Sequence, residues 1–144
     1  MTGREPARST GLDEGSEDLL RAAAAAAQLA YSPYSQIKVG AALLSRHGQV
    51  FTGCNVENAS YGLTICAERV AMTKAVSAGE REFEAIAIFT DQPRTLMPCG
   101  ACRQFLLEFA PDLRVVCQGA VGEPSAARLS ELLPRAFGPS DLDG

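Results

Sequence analysis

The sequence predicts an α/β fold, a three-layer α-β-α sandwich around a mixed sheet of about five strands. A strand hairpin in the first half of the chain is followed by alternating helix-like and strand-like segments, which places helices on the faces of one sheet. The length of 144 residues and the hydrophobic fraction of 47% are those of one globular domain. Because no repeat or linker divides the chain, one domain is expected over residues 16–144, after a flexible tail of residues 1–15.

The first half of the chain contains one helical pattern and two strand patterns. Residues 1–15 are polar and lack an apolar period. Ser16 is expected to cap the first helix, because acidic residues follow it and a run of alanines favours helix. A turn at Arg46-His47-Gly48 is expected to join the two strands. The predicted elements are a helix (16–30), a loop (31–35), two strands (37–44 and 49–54) and an irregular polar segment (55–64).

The second half alternates between helices and strands. A helix-spaced pattern stops at Gly79, and the next segment passes into an apolar run that is typical of a buried strand. Pro98 precedes another helix. The pattern then weakens to a poor edge strand and a short helix that Pro134 interrupts. The predicted elements are a helix (65–78), a strand (83–90), a helix (99–109), a strand (113–117), an edge strand (125–129) and a helix (130–136).

The charge pattern excludes several classes of partner. The net charge is -4 and no stretch gathers Lys and Arg into a stripe, so binding to DNA or RNA is not expected. No apolar run is long enough to span a bilayer, and the polar N-terminal segment is unlike a secretory signal. We therefore expect a cytoplasmic protein with no membrane partner, and the composition is compatible with a small neutral substrate.

The cysteines point to a metal. There are five of them, an odd number in a chain without an export signal, which argues against a disulfide framework. Three stand in two motifs, Cys66-Ala67-Glu68 and Pro98-Cys99-Gly100-Ala101-Cys102, each at the start of a predicted helix. Three thiolates suit a tetrahedral zinc ion that keeps one position for water. Glu68 is well placed to handle the proton of that water, as in the zinc-dependent nucleobase deaminases.

Two other interpretations of these cysteines remain open. The spacing of Cys99 and Cys102 is also that of a redox pair for thiol–disulfide exchange. A non-catalytic, zinc-stabilised binding module would need a fourth protein ligand, and His47, Cys54 and Cys117 have suitable chemistry. A solvated turn residue is the favoured interpretation of His47, and buried apolar packing is favoured for the other two.

Two arginines adjoin the motifs. Three thiolates on one divalent cation leave a net negative charge, and Arg69 and Arg103 are each expected to offset it by donating a hydrogen bond to sulfur. For either arginine alone, a place on a solvated helix face is an equally good interpretation.

Several motifs, in order along the chain, carry a family resemblance. From about residue 19 to residue 142 the chain resembles the small, homotetrameric cytidine deaminases. The motifs are Tyr31-Ser32-Pro33-Tyr34-Ser35, Val39-Gly40-Ala41-Ala42-Leu43-Leu44, Thr52-Gly53-Cys54-Asn55-Val56-Glu57-Asn58-Ala59-Ser60-Tyr61-Gly62, Cys66-Ala67-Glu68-Arg69, Pro98-Cys99-Gly100-Ala101-Cys102-Arg103-Gln104, Glu131-Leu132-Leu133-Pro134 and Phe137-Gly138-Pro139.

The resemblance implies hydrolytic deamination of cytidine and 2′-deoxycytidine to the uridine nucleosides and ammonia, as in pyrimidine salvage. One zinc ion per subunit would be held by Cys66, Cys99 and Cys102, with Glu68 as the proton shuttle and Gln104 among the residues around the metal site. A related deaminase acting on another aminopyrimidine nucleoside, such as blasticidin S, is the alternative within this chemistry.

The resemblance also implies the residues that contact the nucleoside. Asn55 and Glu57 would hold the ribose hydroxyls, and the Ala67 backbone would contact the pyrimidine edge. Tyr61 would lie near the substrate across a subunit boundary. Phe137 would stack on the base in a neighbouring subunit's site, although packing of the last helix explains it equally well.

The chain departs from the family pattern at two places. Ile37-Lys38 stands where relatives usually have Phe-Pro, so the base is expected to lose one aromatic wall. The segment 119–128 is short and rich in alanine, so a stunted last strand is expected.

Overall fold

The computed structural model describes residues 12–143 and forms one five-stranded mixed sheet with helices on both faces. The strand order is β2-β1-β3-β4-β5; β3 and β4 are parallel, and every other neighbouring pair is antiparallel. This confirms the predicted three-layer α-β-α sandwich. The elements are α1 (Glu14–Ala27), β1 (Val39–Ser45), β2 (Val50–Cys54), α2 (Ala67–Ser77), β3 (Phe83–Thr90), α3 (Gly100–Phe109), β4 (Arg114–Gln118), β5 (Ser125–Arg128) and α4 (Leu129–Leu132).

Strand alternation divides the core between the two faces of the sheet. On one face, Leu43 and Ile86 pack with residues of α2, α3 and α4 in the larger core cluster. On the other face, Ala42, Ala87 and Val116 pack against α1. The small side chains on this second face leave room for α1 to lie close to the sheet.

Two glycines allow the closest contacts between helix and sheet. A Cβ atom on Gly40 would lie 1.9 Å from the backbone oxygen of Ala23 in α1. A Cβ atom on Gly53 would lie 2.6 Å from backbone atoms of Ala67 and Ala71 in α2. Gly53 therefore sets how near the start of α2 comes to the end of β2.

Several predicted boundaries need correction. The N-cap of α1 is Asp13, whose carboxylate accepts from the Ser16 N–H at 2.8 Å, so the helix begins at Glu14 and not at Ser16. The last two residues of the predicted tail are thus helical, and residues 1–11 lie outside the described part of the chain. Helix α2 begins after Cys66, because Ile65 pairs with Val56 in an isolated bridge.

The C-terminal part agrees with the prediction in kind but is shorter. Strand β3 has the predicted bounds, and β5 is a four-residue edge strand, as expected for the stunted segment. Helix α4 spans one turn, Leu129–Leu132, in place of the predicted 130–136. Two short 3-10 helices, Tyr61–Leu63 and Pro139–Leu142, were not predicted. Among the described residues, no helix combines the length and apolar character needed to cross a membrane.

Gly40→Ala is expected to lower the free energy of unfolding by about 3 kcal/mol or more, because backbone atoms of α1 occupy the space that the methyl group needs. Chemical denaturation measures this change. Gly15→Ala is the matched control in α1, where the added Cβ meets its nearest neighbour at 3.8 Å. The control should be neutral or stabilise by up to ~1 kcal/mol. Equal stability of both variants would contradict the close packing of α1.

Candidate metal centre and active site

Three cysteine thiols meet where α2 and α3 begin. Cys66 is the N-cap of α2, Cys99 is the N-cap of α3, and Cys102 lies in the first turn of α3. The Sγ atoms of Cys66 and Cys99 are 4.0 Å apart, and the three sulfurs lie within 4.8 Å of one another. Cys99 Sγ accepts from the Cys102 N–H at 3.4 Å. Free N–H groups and the positive ends of two helix dipoles therefore favour thiolates here.

The sheet topology explains why the two helix starts coincide. Strands β2 and β3 are both antiparallel to β1, so they run in the same direction. Helix α2 follows the end of β2, and α3 follows the end of β3. Both helices therefore begin at the same edge of the sheet, which is the usual position of sites in α/β folds.

The donor set fits zinc. The hydrogen bond from the Cys102 thiol, together with the Arg69 guanidinium, lowers the pKa of Cys66 to about 5. The same hydrogen bond, with burial, raises the pKa of Cys102. A divalent cation bound by the sulfurs would displace the remaining thiol protons. Zn–S bonds of about 2.3 Å in a tetrahedron place sulfurs roughly 3.8 Å apart, close to the observed separation of Cys66 and Cys99.

Within residues 12–143 no fourth His, Cys, Asp or Glu joins this cluster. His47 lies at the β1–β2 turn, where its side chain is 73% exposed and pairs with Glu80 at 3.1 Å. Cys54 is half-buried in β2. Cys117 is buried in β4, and burial raises its pKa to about 12. The non-catalytic zinc module therefore lacks its fourth protein ligand in the described part of the chain.

Glu68 is a buried carboxylic acid in the first turn of α2, and its residue is 5% exposed. Burial raises the pKa of Glu68 to about 7, and negative charge on Cys66 contributes to the rise. A carboxyl group with such a pKa can both accept and donate a proton near neutral pH.

Arg69 lies against the cluster. Its Nη2 donates to Cys66 Sγ at 3.7 Å and to the Thr64 carbonyl at 3.3 Å. Its Nε is buried and has no hydrogen-bond partner among the described residues. The Arg69 guanidinium, hydrogen-bonded to this sulfur, is therefore well placed to offset the negative charge of a metal–thiolate group. The expected hydrogen bond to sulfur is present, and its effect on metal binding stays a prediction.

Arg103 has different partners from those expected. Its Nε donates to the Pro98 carbonyl and its Nη1 to the Leu132 carbonyl, both at 2.7 Å, and in the described residues it makes no hydrogen bond to sulfur. It therefore ties the residue before Cys99 to the end of α4. Gln104, also expected near the metal site, donates instead from Nε2 to the Phe137 carbonyl at 2.8 Å.

One cavity borders the cluster, and a second cavity adjoins the first. The inner cavity, of about 200 Å³, is lined by residues that include Cys66, Ala67, Glu68 and Asn55. The outer cavity, of about 340 Å³, is lined by Tyr34, Ser35, Glu57, Tyr61 and Thr64. Thr64 lines both, so the two cavities adjoin. A larger cavity of about 480 Å³ beside α1 is lined by none of the predicted site residues.

The polar side chains of the two cavities are already partly engaged. Asn55 is buried; its Oδ1 accepts from the Val39 N–H at 2.9 Å and its Nδ2 donates to the Ile37 carbonyl at 2.8 Å. One amide N–H and one lone pair remain for a ligand. Glu57 accepts from the Tyr34 N–H at 2.9 Å and the Ser35 N–H at 3.1 Å.

The two predicted aromatic contacts lie on the surface. Tyr61 is 76% exposed and makes an edge contact with Tyr34, with ring centroids 6.0 Å apart. Phe137 is 59% exposed. Ser35 and Thr64 line the cavities although neither is among the predicted site residues. Ser35 stands in a quoted motif, but its partner Glu57 is 22 residues away and no local spacing indicates that contact.

Three thiols with an adjacent buried carboxylic acid, at the edge of an α-β-α sheet, define the site of a zinc-dependent deaminase. A family model described as the cytidine and deoxycytidylate deaminase zinc-binding region matches residues 13–118. The chain belongs to this family of zinc-dependent enzymes. All three thiols fall within the matched residues, and zinc is the metal that the family model describes.

The similarity extends over most of the chain. A cytidine deaminase from Halalkalibacterium halodurans is 48% identical over 126 residues, which are 87% of this chain and 96% of the relative. The crystal structure of cytidine deaminase from Burkholderia pseudomallei has a TM-score of 0.82 at 48% identity, covering 88% of this chain and 100% of that one. That from Mycobacterium tuberculosis has a TM-score of 0.77 at 44% identity, covering 88% and 99%. These matches do not favour the blasticidin S alternative.

Arg69→Gln is expected to weaken zinc binding by roughly 10- to 100-fold, because it removes the cation that donates to Cys66 Sγ. Competition with a chromogenic chelator measures the zinc Kd. Arg46→Gln is the control, since Arg46 pairs with Glu82 on the exposed surface. An unchanged zinc Kd in Arg69→Gln would remove this arginine from the metal site.

Proposed function

We propose that the protein catalyses the hydrolytic deamination of cytidine and 2′-deoxycytidine to the corresponding uridine nucleosides and ammonia. The observation that carries the proposal is the cluster of Cys66, Cys99 and Cys102 with a buried Glu68 beside it, opening into two adjoining cavities. Residues 16–144, preceded by the first two residues of α1, form the single catalytic domain in this proposal.

The three cysteines hold the metal in this proposal and leave one position for solvent. Zinc bound there would lower the pKa of a bound water to about 7 and so supply hydroxide near neutral pH. Glu68 accepts the water's proton and delivers it to ring nitrogen 3 of the pyrimidine. The oxygen of the water bonds to carbon 4. Glu68 then takes the remaining proton from that oxygen and gives it to the amine, and the bond between carbon 4 and nitrogen breaks to release ammonia as the carbonyl at carbon 4 forms.

The cavities suit the two halves of a nucleoside. The inner cavity, with Glu68 and the Ala67 backbone, takes the base. The outer cavity, with Glu57, takes the sugar, since carboxylate oxygens accept from hydroxyl groups. Asn55 contributes its remaining amide N–H and lone pair. Thiol–disulfide exchange through Cys99 and Cys102 would require neither the buried Glu68 nor Cys66.

The proposal extends to assembly and cellular role. We infer a homotetramer with sites at subunit interfaces, acting in pyrimidine salvage in the cytoplasm. Tyr61, Leu63 and Phe137 are apolar or aromatic and more than half exposed, and subunit interfaces would cover such groups in this assembly.

Glu68→Gln is expected to keep one zinc ion per chain and to lose roughly 10²- to 10⁴-fold in kcat, because the amide neither accepts nor delivers the proton. Loss of absorbance on conversion of cytidine to uridine gives kcat, and atomic emission gives zinc content. Glu108→Gln, on the exposed face of α3, is the matched control and should turn over normally. Normal turnover by Glu68→Gln would disprove its role as proton shuttle.

Phe137→Ala is expected to raise KM for cytidine by roughly three- to tenfold, the value of one aromatic stacking contact. Coexpression of two variants tests whether Phe137 acts in the site of a neighbouring subunit. Coexpression of Phe137→Ala with Glu68→Gln chains should restore a low KM, because an inactive chain can still supply its Phe137 to a neighbouring intact site. If the mixed protein keeps the high KM of Phe137→Ala alone, the aromatic ring does not act across a subunit boundary.

A further inference from the structure

The Glu57 carboxylate is held by the loop before β1. Its Oε1 accepts from the backbone N–H groups of Tyr34 and Ser35, and its Oε2 accepts from the Ser35 hydroxyl. A carboxylate has about four lone-pair positions. Three are therefore engaged by the protein, and one position remains for a ligand.

The Ser35 hydroxyl is itself held in one orientation. Its Oγ accepts from the Ile37 N–H at 3.0 Å, which leaves the hydroxyl hydrogen for Glu57. Gln36, between these residues, has a φ of 60°, a left-handed conformation that is uncommon outside glycine. Its N–H donates to the Ser32 carbonyl at 2.9 Å. The loop is thus held in a strained turn that directs Ser35 at the carboxylate.

We propose that Ser35 is a positioning residue for Glu57, whose hydroxyl fixes the carboxylate so that it accepts from a single substrate hydroxyl in the outer cavity. This inference rests on the proposed function, because it takes the sugar of a nucleoside as the hydroxyl donor. Ser35 and Glu57 both line that cavity. The loop therefore limits Glu57 to one substrate hydroxyl. The family resemblance alone does not say how many hydroxyls Glu57 contacts.

The charge state of Glu57 agrees with this role. The hydrogen bonds from the Ser35 hydroxyl and from the N–H groups of Tyr34 and Ser35 lower the pKa of Glu57. The carboxylate is then ionised at neutral pH and acts only as an acceptor. A hydroxyl of the ligand fits the remaining position, whereas a carbonyl or a phosphate oxygen does not.

Ser35→Ala is expected to raise KM for cytidine by roughly five- to tenfold and to leave kcat within about twofold. The sugar lies away from the reacting atoms, so its contacts bind ground state and transition state alike. Ser32→Ala is the matched control, since its hydroxyl makes no hydrogen bond to any residue between positions 12 and 143. The control should retain the wild-type KM. A fall in kcat with unchanged KM for Ser35→Ala would contradict the positioning role.

Nucleoside analogues distinguish two roles for Ser35, positioning of the Glu57 carboxylate and general stabilisation of the loop. The KM ratio of Ser35→Ala to wild type is measured with cytidine, 2′-deoxycytidine and 3′-deoxycytidine. The ratio should fall to about one for the analogue that lacks the hydroxyl accepted by Glu57, and should persist for the other. If both analogues keep the full ratio, Ser35 does not act through one hydroxyl and the inference is wrong.

A double-mutant cycle tests whether Ser35 acts through Glu57. In the Glu57→Gln background, Ser35→Ala should change KM by less than about twofold, because the partner that it orients is already altered. A five- to tenfold loss in that background would show that Ser35 acts independently of Glu57 and would overturn the inference.

This inference and the proposed function fail in different ways. Wild-type protein that deaminates cytidine while Ser35→Ala has the same KM overturns only the inference. Wild-type protein that leaves cytidine unchanged overturns the proposed function, and calorimetric titration with uridine then tests Ser35 directly. A five- to tenfold higher Kd in Ser35→Ala supports the inference, whereas equal Kd values or an absence of binding overturn it.

Discussion

The meeting of two helix N-termini at one edge of the sheet is the constraint on which the site depends. Strands β2 and β3 run in the same direction, so the helices that follow them begin side by side and bring three thiols within 4.8 Å. Sulfur anions at this distance repel one another. Two helix dipoles and the Arg69 guanidinium offset part of that repulsion, and a bound divalent cation would offset the rest. The fold thus brings together three thiols whose negative charge a bound metal ion would neutralise.

The two faces of the sheet have different tasks. The face covered by α1 is packed closely with alanine and with Gly40, and it supports the sheet without taking part in the site. The face covered by α2 and α3 carries the three clustered thiols and the buried Glu68. Gly53 lets α2 approach β2 closely at Ala67, next to that acid. Close packing on both sides therefore fixes the position of a carboxylic acid whose burial raises its pKa to about 7.

Much of the fold and the metal cluster could be predicted because their signals are local. The β3 bounds follow from a short apolar run, and the thiols stand within a few residues of helix starts. Contacts between distant segments could not be predicted in this way. Arg103 bonds to a carbonyl 29 residues away, and Ile65 leaves its predicted helix to pair with Val56. The N-cap of α1 is Asp13 and not the predicted Ser16. Both are favourable capping residues, and propensity alone does not choose between them.

We propose that three sulfur ligands hold zinc and leave one position for solvent. Zinc X-ray absorption spectroscopy on the purified wild-type protein, with metal content measured on the same sample, tests it most directly. We expect one zinc per chain with three sulfur neighbours at about 2.3 Å and one oxygen neighbour at about 2.0–2.2 Å. A fourth ligand from the protein, two or fewer sulfur neighbours, or protein that deaminates cytidine without metal would contradict it.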